Sequence, residues 1–384
     1  MSVIVSSRIP AGSIKDIQVN DGNLIELSID MRDSSGQWFF WNFKAAFDTP
    51  GDYIFQFRTP NTVGPRAAAV SRDNGYSWTW LGADARINDH SFRYHCSRPE
   101  ELIFCTGMEY LQEHFDLFRY MYIFNPAFRV SELCKSREGR SVELASVREG
   151  NPPWTILLTS RHHCCEMMAT YALEGILKTV LANSDFAREF RRHFEILAVP
   201  FVDKDGVENG DQGKNRQPHD HARDYGDNPI YPETRAIMKL IQEKRPVLIM
   251  DLHCPWIFSG SNEAIHIPGS SDPYMKEEEA VFSGILEKYA PASAPYHASD
   301  NIPYGTSWNT GANYTQGKSL KYYAVDCFHQ ALENHETPYP VGAFTLEIPY
   351  ANARDVTLTV SSMTDLGKAL AETVWEYLKE KLHL

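Results

Sequence analysis

The stretch Trp154-Thr155-Ile156-Leu157-Leu158-Thr159-Ser160-Arg161-His162-His163-Cys164-Cys165-Glu166 joins two kinds of sequence, and their meeting decides the fold. Residues 154 to 159 form a short apolar run of the kind a fully buried strand needs. Beyond Glu166, Met167, Tyr171, Leu173, Ile176, Leu177 and Val180 recur at the three-to-four spacing of an amphipathic helix. Similar units follow. Phe186 opens a helix leading to the strand Ile196-Leu197-Ala198-Val199. Pro232-Glu233-Thr234 starts another, with proline in the first turn, and Pro246 closes it ahead of the strand Val247-Leu248-Ile249-Met250-Asp251-Leu252. Ala343-Phe344-Thr345-Leu346-Glu347-Ile348 reads as a further strand, and residues 363 to 382 as a last amphipathic helix. From about residue 107 the alternation predicts an α/β domain.

Upstream the style differs. Trp38-Phe39-Phe40-Trp41 and Tyr53-Ile54-Phe55-Gln56-Phe57 are short aromatic runs separated by turn signals, which predicts an N-terminal antiparallel β-sandwich over residues 1–106 before a catalytic domain over 107–384. Ser71-Arg72-Asp73-Asn74-Gly75-Tyr76-Ser77-Trp78 has the form of an Asp-box hairpin, read here as a structural turn with Trp78 packed beneath it.

Composition removes whole classes of function. Thirty-seven Lys and Arg against fifty Asp and Glu leave a net charge of −13, a field that repels nucleic acid and anionic lipid, so neither is expected as a partner. No 18-residue uncharged apolar run and no Gly-rich phosphate loop occurs. The seven cysteines are odd in number and lack paired CxxC spacing, and the first residues carry no basic stretch leading into a long apolar one, which together predict reduced thiols and a cytoplasmic location.

Metal-capable side chains sit where the predicted strands end, and in open α/β sheets ligands bind outside the carboxyl ends of strands. His163 and Glu166 are three residues apart at a helix start, so both can face one point, and His253 ends a second strand. Two imidazoles and one carboxylate with a fourth position open form a donor set of hydrolytic zinc sites. Glu347 is an acid flanked by Leu346 and Ile348 on a buried strand, a placement that demands a reason.

In that order and placement the sequence resembles the M14 zinc metallocarboxypeptidases over nearly its whole length, and most of all their cytosolic carboxypeptidase-like branch, which carries an N-terminal β-sandwich. Leu133-Cys134-Lys135-Ser136-Arg137-Glu138-Gly139-Arg140 resembles the family's S-x-x-G-R segment, His163-Cys164-Cys165-Glu166 stands where H-P-G-E is common, and Val199-Pro200-Phe201-Val202-Asp203-Lys204-Asp205-Gly206-Val207 resembles V-P-x-x-N-P-D-G-V with two substitutions. The resemblance implies a mixed central sheet with helices on both faces, one zinc ion per chain held by His163, Glu166 and His253, and Glu347 as general base. It also implies an arginine that polarises the scissile carbonyl and an Asn-Arg pair that grips the substrate's terminal carboxylate. Two alignments compete. Asn215-Arg216 could be that pair; alternatively Gly213-Lys214-Asn215-Arg216 matches G-N-Y-R and Asp220-His221-Ala222-Arg223-Asp224-Tyr225 matches D-L-N-R-N-Y. The second supplies both arginines, making Arg216 the carbonyl arginine and Arg223, with Asn215 nearby, the carboxylate anchor, at the cost of Ala222 where asparagine is usual. The implied activity is hydrolysis of the C-terminal amide bond of a peptide or protein. A deacylase of the aspartoacylase and succinylglutamate desuccinylase type, an amidase on the same scaffold, and a non-catalytic binding protein are the other readings. The family's mobile tyrosine is not located, Tyr322 and Tyr323 being placed only by spacing. Cys164 and Cys165 are expected to pack, and His219 and His221 to hydrogen-bond within their loop.

Overall fold

The computed structural model describes residues 3–34, 38–258 and 260–384. Its second half is built on a six-stranded sheet in the order Phe128–Lys135, Ser141–Val147, Phe194–Val199, Trp154–Ser160, Leu248–His253, Gly342–Glu347. The first two pairings are antiparallel and the last three parallel, so the sheet is mixed. Each parallel strand is buried on both faces, which is why it reads as an unbroken apolar run. Successive residues divide between two cores: Ile156, Leu158, Met250 and Leu346 face the helices Met167–Leu181, Pro273–Tyr289 and Val360–Leu382, whereas Leu157, Ile249 and Ala343 face Pro232–Lys244 and Leu320–Glu333.

The helix Met167–Leu181 is buried along most of its circumference, its charged residues Glu174 and Lys178 pairing with each other one turn apart. It crosses Val360–Leu382 at Gly175 and Gly367. A Cβ on Gly367 would lie 2.5 Å from Ala172 O and 2.5 Å from Gly175 Cα, so the crossing is backbone against backbone. That contact fixes the axis of the helix whose first turn carries Glu166.

The N-terminal part forms two five-stranded sheets packed face to face around Trp41, Phe43, Phe47, Phe55, Phe92 and Phe104. The expected sandwich is present, with one departure from an all-antiparallel arrangement: Leu24–Ile29 pairs with Gly51–Phe57 in parallel. The Asp-box turn is closed by its own side chains. Ser71 Oγ accepts from Gly75 N at 2.8 Å, Asp73 Oδ1 accepts from Ser77 N at 2.8 Å, and Trp78 is buried. The sandwich also reaches the other half directly: Gln212 Oε1 accepts from Phe40 N, and Asp33 accepts from Gly213 N.

Candidate metal centre

Three strand ends converge. Ser160 lies opposite Leu252 and His253 opposite Glu347, so the parallel register brings the termini of three neighbouring strands level. The chain leaves Ser160 through Arg161 in the left-handed region, φ +64°, a strained conformation for a residue with a side chain. Its buried guanidinium holds the turn, donating to Cys164 O at 2.5 Å and Tyr110 O at 3.0 Å and pairing with Glu109 at 3.3 Å. The turn delivers His163 and Glu166 to the sheet edge beside His253.

Their polar atoms meet. His163 Nδ1 lies 2.8 Å from Glu166 Oε1, and His253 Nδ1 lies 2.8 Å from Glu166 Oε2. The three supply one ligand atom each within 4.8 Å of one another. Lys214 Nζ approaches Glu166 Oε1 to 2.7 Å and donates to Cys254 O at 3.1 Å. Burial works against charge on Glu166, but Lys214 and the two imidazoles outweigh it and hold the carboxyl well below its usual range. Burial likewise opposes charge on His253, and Asp251 with Glu166 overrides it, raising that imidazole well above its ordinary value.

Behind this group runs a sealed polar chain. His253 Nε2 lies 2.8 Å from Asp251 Oδ2; Asp251 Oδ1 accepts from Thr159 Oγ1 at 2.7 Å and lies 2.9 Å from His162 Nδ1; His162 Nε2 lies 2.7 Å from the Tyr225 hydroxyl. His162, Asp251 and His253 form a second cluster compact enough for a metal, yet each polar atom on His162 and Asp251 already has a partner and His162 is fully buried. The chain instead orients His253, because a carboxylate on one ring nitrogen fixes which nitrogen is presented at the other side.

The group opens into a cavity of about 600 Å³ also lined by Trp38, Lys214, Asn215, Asp220, Arg223, Trp308 and Glu347. Glu347 is 9% exposed at the strand end beside His253. Arg223 donates through Nε to Asn313 O at 2.9 Å and through Nη1 to Ala222 O at 3.0 Å, and lies over the Tyr314 ring. Ala222 itself is buried away from the cavity.

Arg216 departs from expectation. Its side chain turns to the other side of the loop and lines a separate cavity of about 280 Å³. There Nη1 donates to Asp203 at 2.6 Å, Nε to Asp33 at 3.2 Å and Nη2 to Asp211 at 3.4 Å. Burial opposes its charge and these carboxylates restore it. A guanidinium held by three carboxylates faces away from the metal-side cavity, so the structure does not bring Arg216 together with His163, Glu166 and His253. Lys214, two residues earlier, faces the metal-side cavity in its stead. Gly213, at φ +79°, reverses the loop where a Cβ would stand 2.5 Å from Cys164 N, and Asn215 follows at φ +53°. Arg216→Ala is therefore expected to act on stability, lowering the unfolding free energy by about 3–5 kcal/mol because it strands buried carboxylates. A denaturant titration checks this, and an unchanged midpoint would reject it.

His219 Nε2 lies 2.6 Å from Asp224, and His221 stacks on Tyr231 with ring centroids 3.7 Å apart. Cys164 donates to Asp211 O, Cys165 contacts the Tyr350 hydroxyl, and burial pushes both thiols up, Cys165 to about 12. Tyr322 contacts Ser271 and Tyr323 contacts Gln242, outside the cavity.

A mixed sheet with two imidazoles and a carboxylate gathered at its strand ends is the build of a metallohydrolase. The chain belongs to the zinc carboxypeptidase family, the M14 peptidases, whose family model matches residues 124–348. Its curated relatives include cytosolic carboxypeptidase 2 of Xenopus tropicalis, 23% identical over 65% of this chain and 25% of that protein, and of Homo sapiens, 24% identical over 65% and 27%. The chain spans about a quarter of the length of these relatives. Among solved structures, a metallo-carboxypeptidase from Burkholderia cenocepacia aligns with a TM-score of 0.77 at 16% identity, covering 99% of this chain and 100% of that one. The metallo-carboxypeptidase from Pseudomonas aeruginosa in complex with (2-guanidinoethylmercapto)succinic acid aligns at 0.74 and 17%, covering 98% and 99%. At these identities the likeness is one of fold.

Proposed function

We propose that the protein is a zinc-dependent metallocarboxypeptidase that removes the C-terminal residue of a peptide or protein, with one zinc per chain held by His163, Glu166 and His253. The observation that carries this reading is the convergence of those three donors, oriented by Asp251, on a cavity that also holds Glu347 and Arg223. The donor set fits the ion: nitrogen and carboxylate ligands, three in number, with one side open to the cavity. Zinc there supplies Lewis acidity to a water and to a scissile carbonyl.

The chain's own groups do the rest. Glu347 accepts the water proton at its carboxylate and returns it to the leaving amine. Lys214, a buried ammonium among Glu166, Cys254 O and Trp38, presents positive charge where the oxyanion develops, the task that alignment gave to Arg216. Arg223 anchors the substrate's free carboxylate, with Asn215 on the same wall. Asp220, 3.7 Å from His163 Nε2, sets negative charge beside that ring. The division into 1–106 and 107–384 belongs to the same reading, the first part contributing Trp38 to the cavity. No helix among the described residues is long and apolar enough to cross a membrane, and a cytoplasmic location is proposed from the curated relatives' description as cytosolic.

Substrate end groups test the exopeptidase reading. A charge-assisted bidentate contact contributes roughly 1.5–3 kcal/mol, so Arg223→Ala should lower kcat/KM about 10- to 150-fold on peptides with a free carboxylate. Amidated peptides should be poor substrates already and lose little more. Lys214→Met should instead lower kcat on any substrate the enzyme accepts, because its partner is charge that appears in the transition state. Equal cleavage of free and amidated ends by the unaltered protein would point to an amidase or endopeptidase and overturn the carboxypeptidase reading.

A further inference from the structure

The helix Gln112–Met121 buries His114, Phe115 and Phe118 against the core, which accounts for one of its faces. Its exposed face carries large apolar side chains beside the Asp116–Arg119 ion pair. Leu117, Tyr120 and Met121, at i, i+3 and i+4, are 50%, 74% and 62% exposed, and the turn beyond them adds Ile123 at 62% and Phe124 at 95%. Five large apolar side chains in eight residues are thus left half or more exposed. Their exposed surface is on the order of 700 Å², more than the few hundred Å² that the largest patch of a monomer shows and near the ~800 Å² per partner of a stable interface.

Continuous with the patch lies a groove of about 360 Å³, walled by Tyr120 and Ile123 of the patch together with Tyr122, Phe128 and Val130, and rimmed by Asp116, Arg119 and Arg129. Phe124, 95% exposed, follows directly on Ile123 of that groove. A protrusion and a hollow on one surface are what a two-fold interface requires, since each copy must offer both halves of the contact. Asp116 and Arg119 on the rim neutralise each other at 3.1 Å, so the rim sets no strong like-charge repulsion against a second copy. An anionic membrane is a poor alternative: the chain carries −13 overall, and the rim offers only two arginines.

We propose that Leu117, Tyr120, Met121, Ile123 and Phe124 form the interface through which two copies of this chain associate about a two-fold axis, each inserting Phe124 into the groove of the other. None of these residues lines the candidate metal cavity, so both cavities of such a dimer stay open to substrate.

Sedimentation velocity on the full chain across the micromolar range tests this. The unaltered protein should sediment as a dimer at high concentration and dissociate on dilution. Phe124→Asp and, separately, Tyr120→Glu should each weaken association by about 30-fold or more, as loss of a central aromatic anchor does, while the thermal midpoint and the rate of peptide hydrolysis stay unchanged. A single-chain species at every concentration would overturn the proposal, as would a dimer indifferent to both variants. Flotation of the unaltered protein with phosphatidylserine vesicles, lost in both variants, would assign the surface to lipid and overturn it equally.

Discussion

His253→Ala is expected to leave the purified protein nearly free of zinc, with peptide hydrolysis lost in proportion. Three protein donors are few, and removing one leaves an imidazole and a carboxylate that already have partners in His163, Glu166 and Lys214. Metal capture also means displacing protons, and His253 sits beside two carboxylates that favour its protonated form in the metal-free protein. Affinity should accordingly rise with pH while that ring loses its proton. Asp251→Asn, which leaves all three donors in place and alters the partner of the far nitrogen of His253, should weaken binding by about 10- to 100-fold without abolishing it. Elemental analysis after dialysis, with circular dichroism to confirm the fold, measures all of this. Full zinc occupancy in His253→Ala would remove the ligand assignment.

The second large effect is kinetic. Glu347→Gln should retain zinc and fold yet turn over about 10²- to 10⁴-fold more slowly, the loss that follows removal of a positioned general base. Glutamine matches the shape of the carboxylate and fills the same strand end beside His253, but it cannot take up a proton at neutral pH. Because the metal stays, this variant separates proton transfer from metal capture, which His253→Ala cannot do. Near-normal turnover in Glu347→Gln would reject the assignment.

How much of this was legible in the sequence depends on periodicity. His163, Glu166, His253 and Glu347 were located because each ends or follows an apolar run, and a parallel strand buried on both faces leaves that unbroken signature. The loop from Gly213 to Arg223 has no period. Which of Lys214 and Arg216 faces the metal side is set by two left-handed backbone positions and by the carboxylates of Asp203, Asp211 and Asp33, the last of them roughly 180 residues distant in sequence. Spacing within a motif cannot register a partner so remote. The parallel pairing of Leu24–Ile29 with Gly51–Phe57 was equally hidden, since alternation marks the faces of a strand and says nothing of its neighbour's direction. Gln112–Met121 is only ten residues long, and exposed Leu117, Tyr120 and Met121 dilute the contrast between its faces.

The backbone crossing at Gly175 and Gly367 bears on how the ion comes and goes. With Glu166 at the head of a helix locked against its neighbour, and His253 tethered through Asp251 to the next strand, the donors acquire their order when the chain folds. Chelation should therefore empty a standing vessel: exchange of one metal for another proceeds without unfolding, and a stripped sample refilled with zinc returns to its starting state without hysteresis.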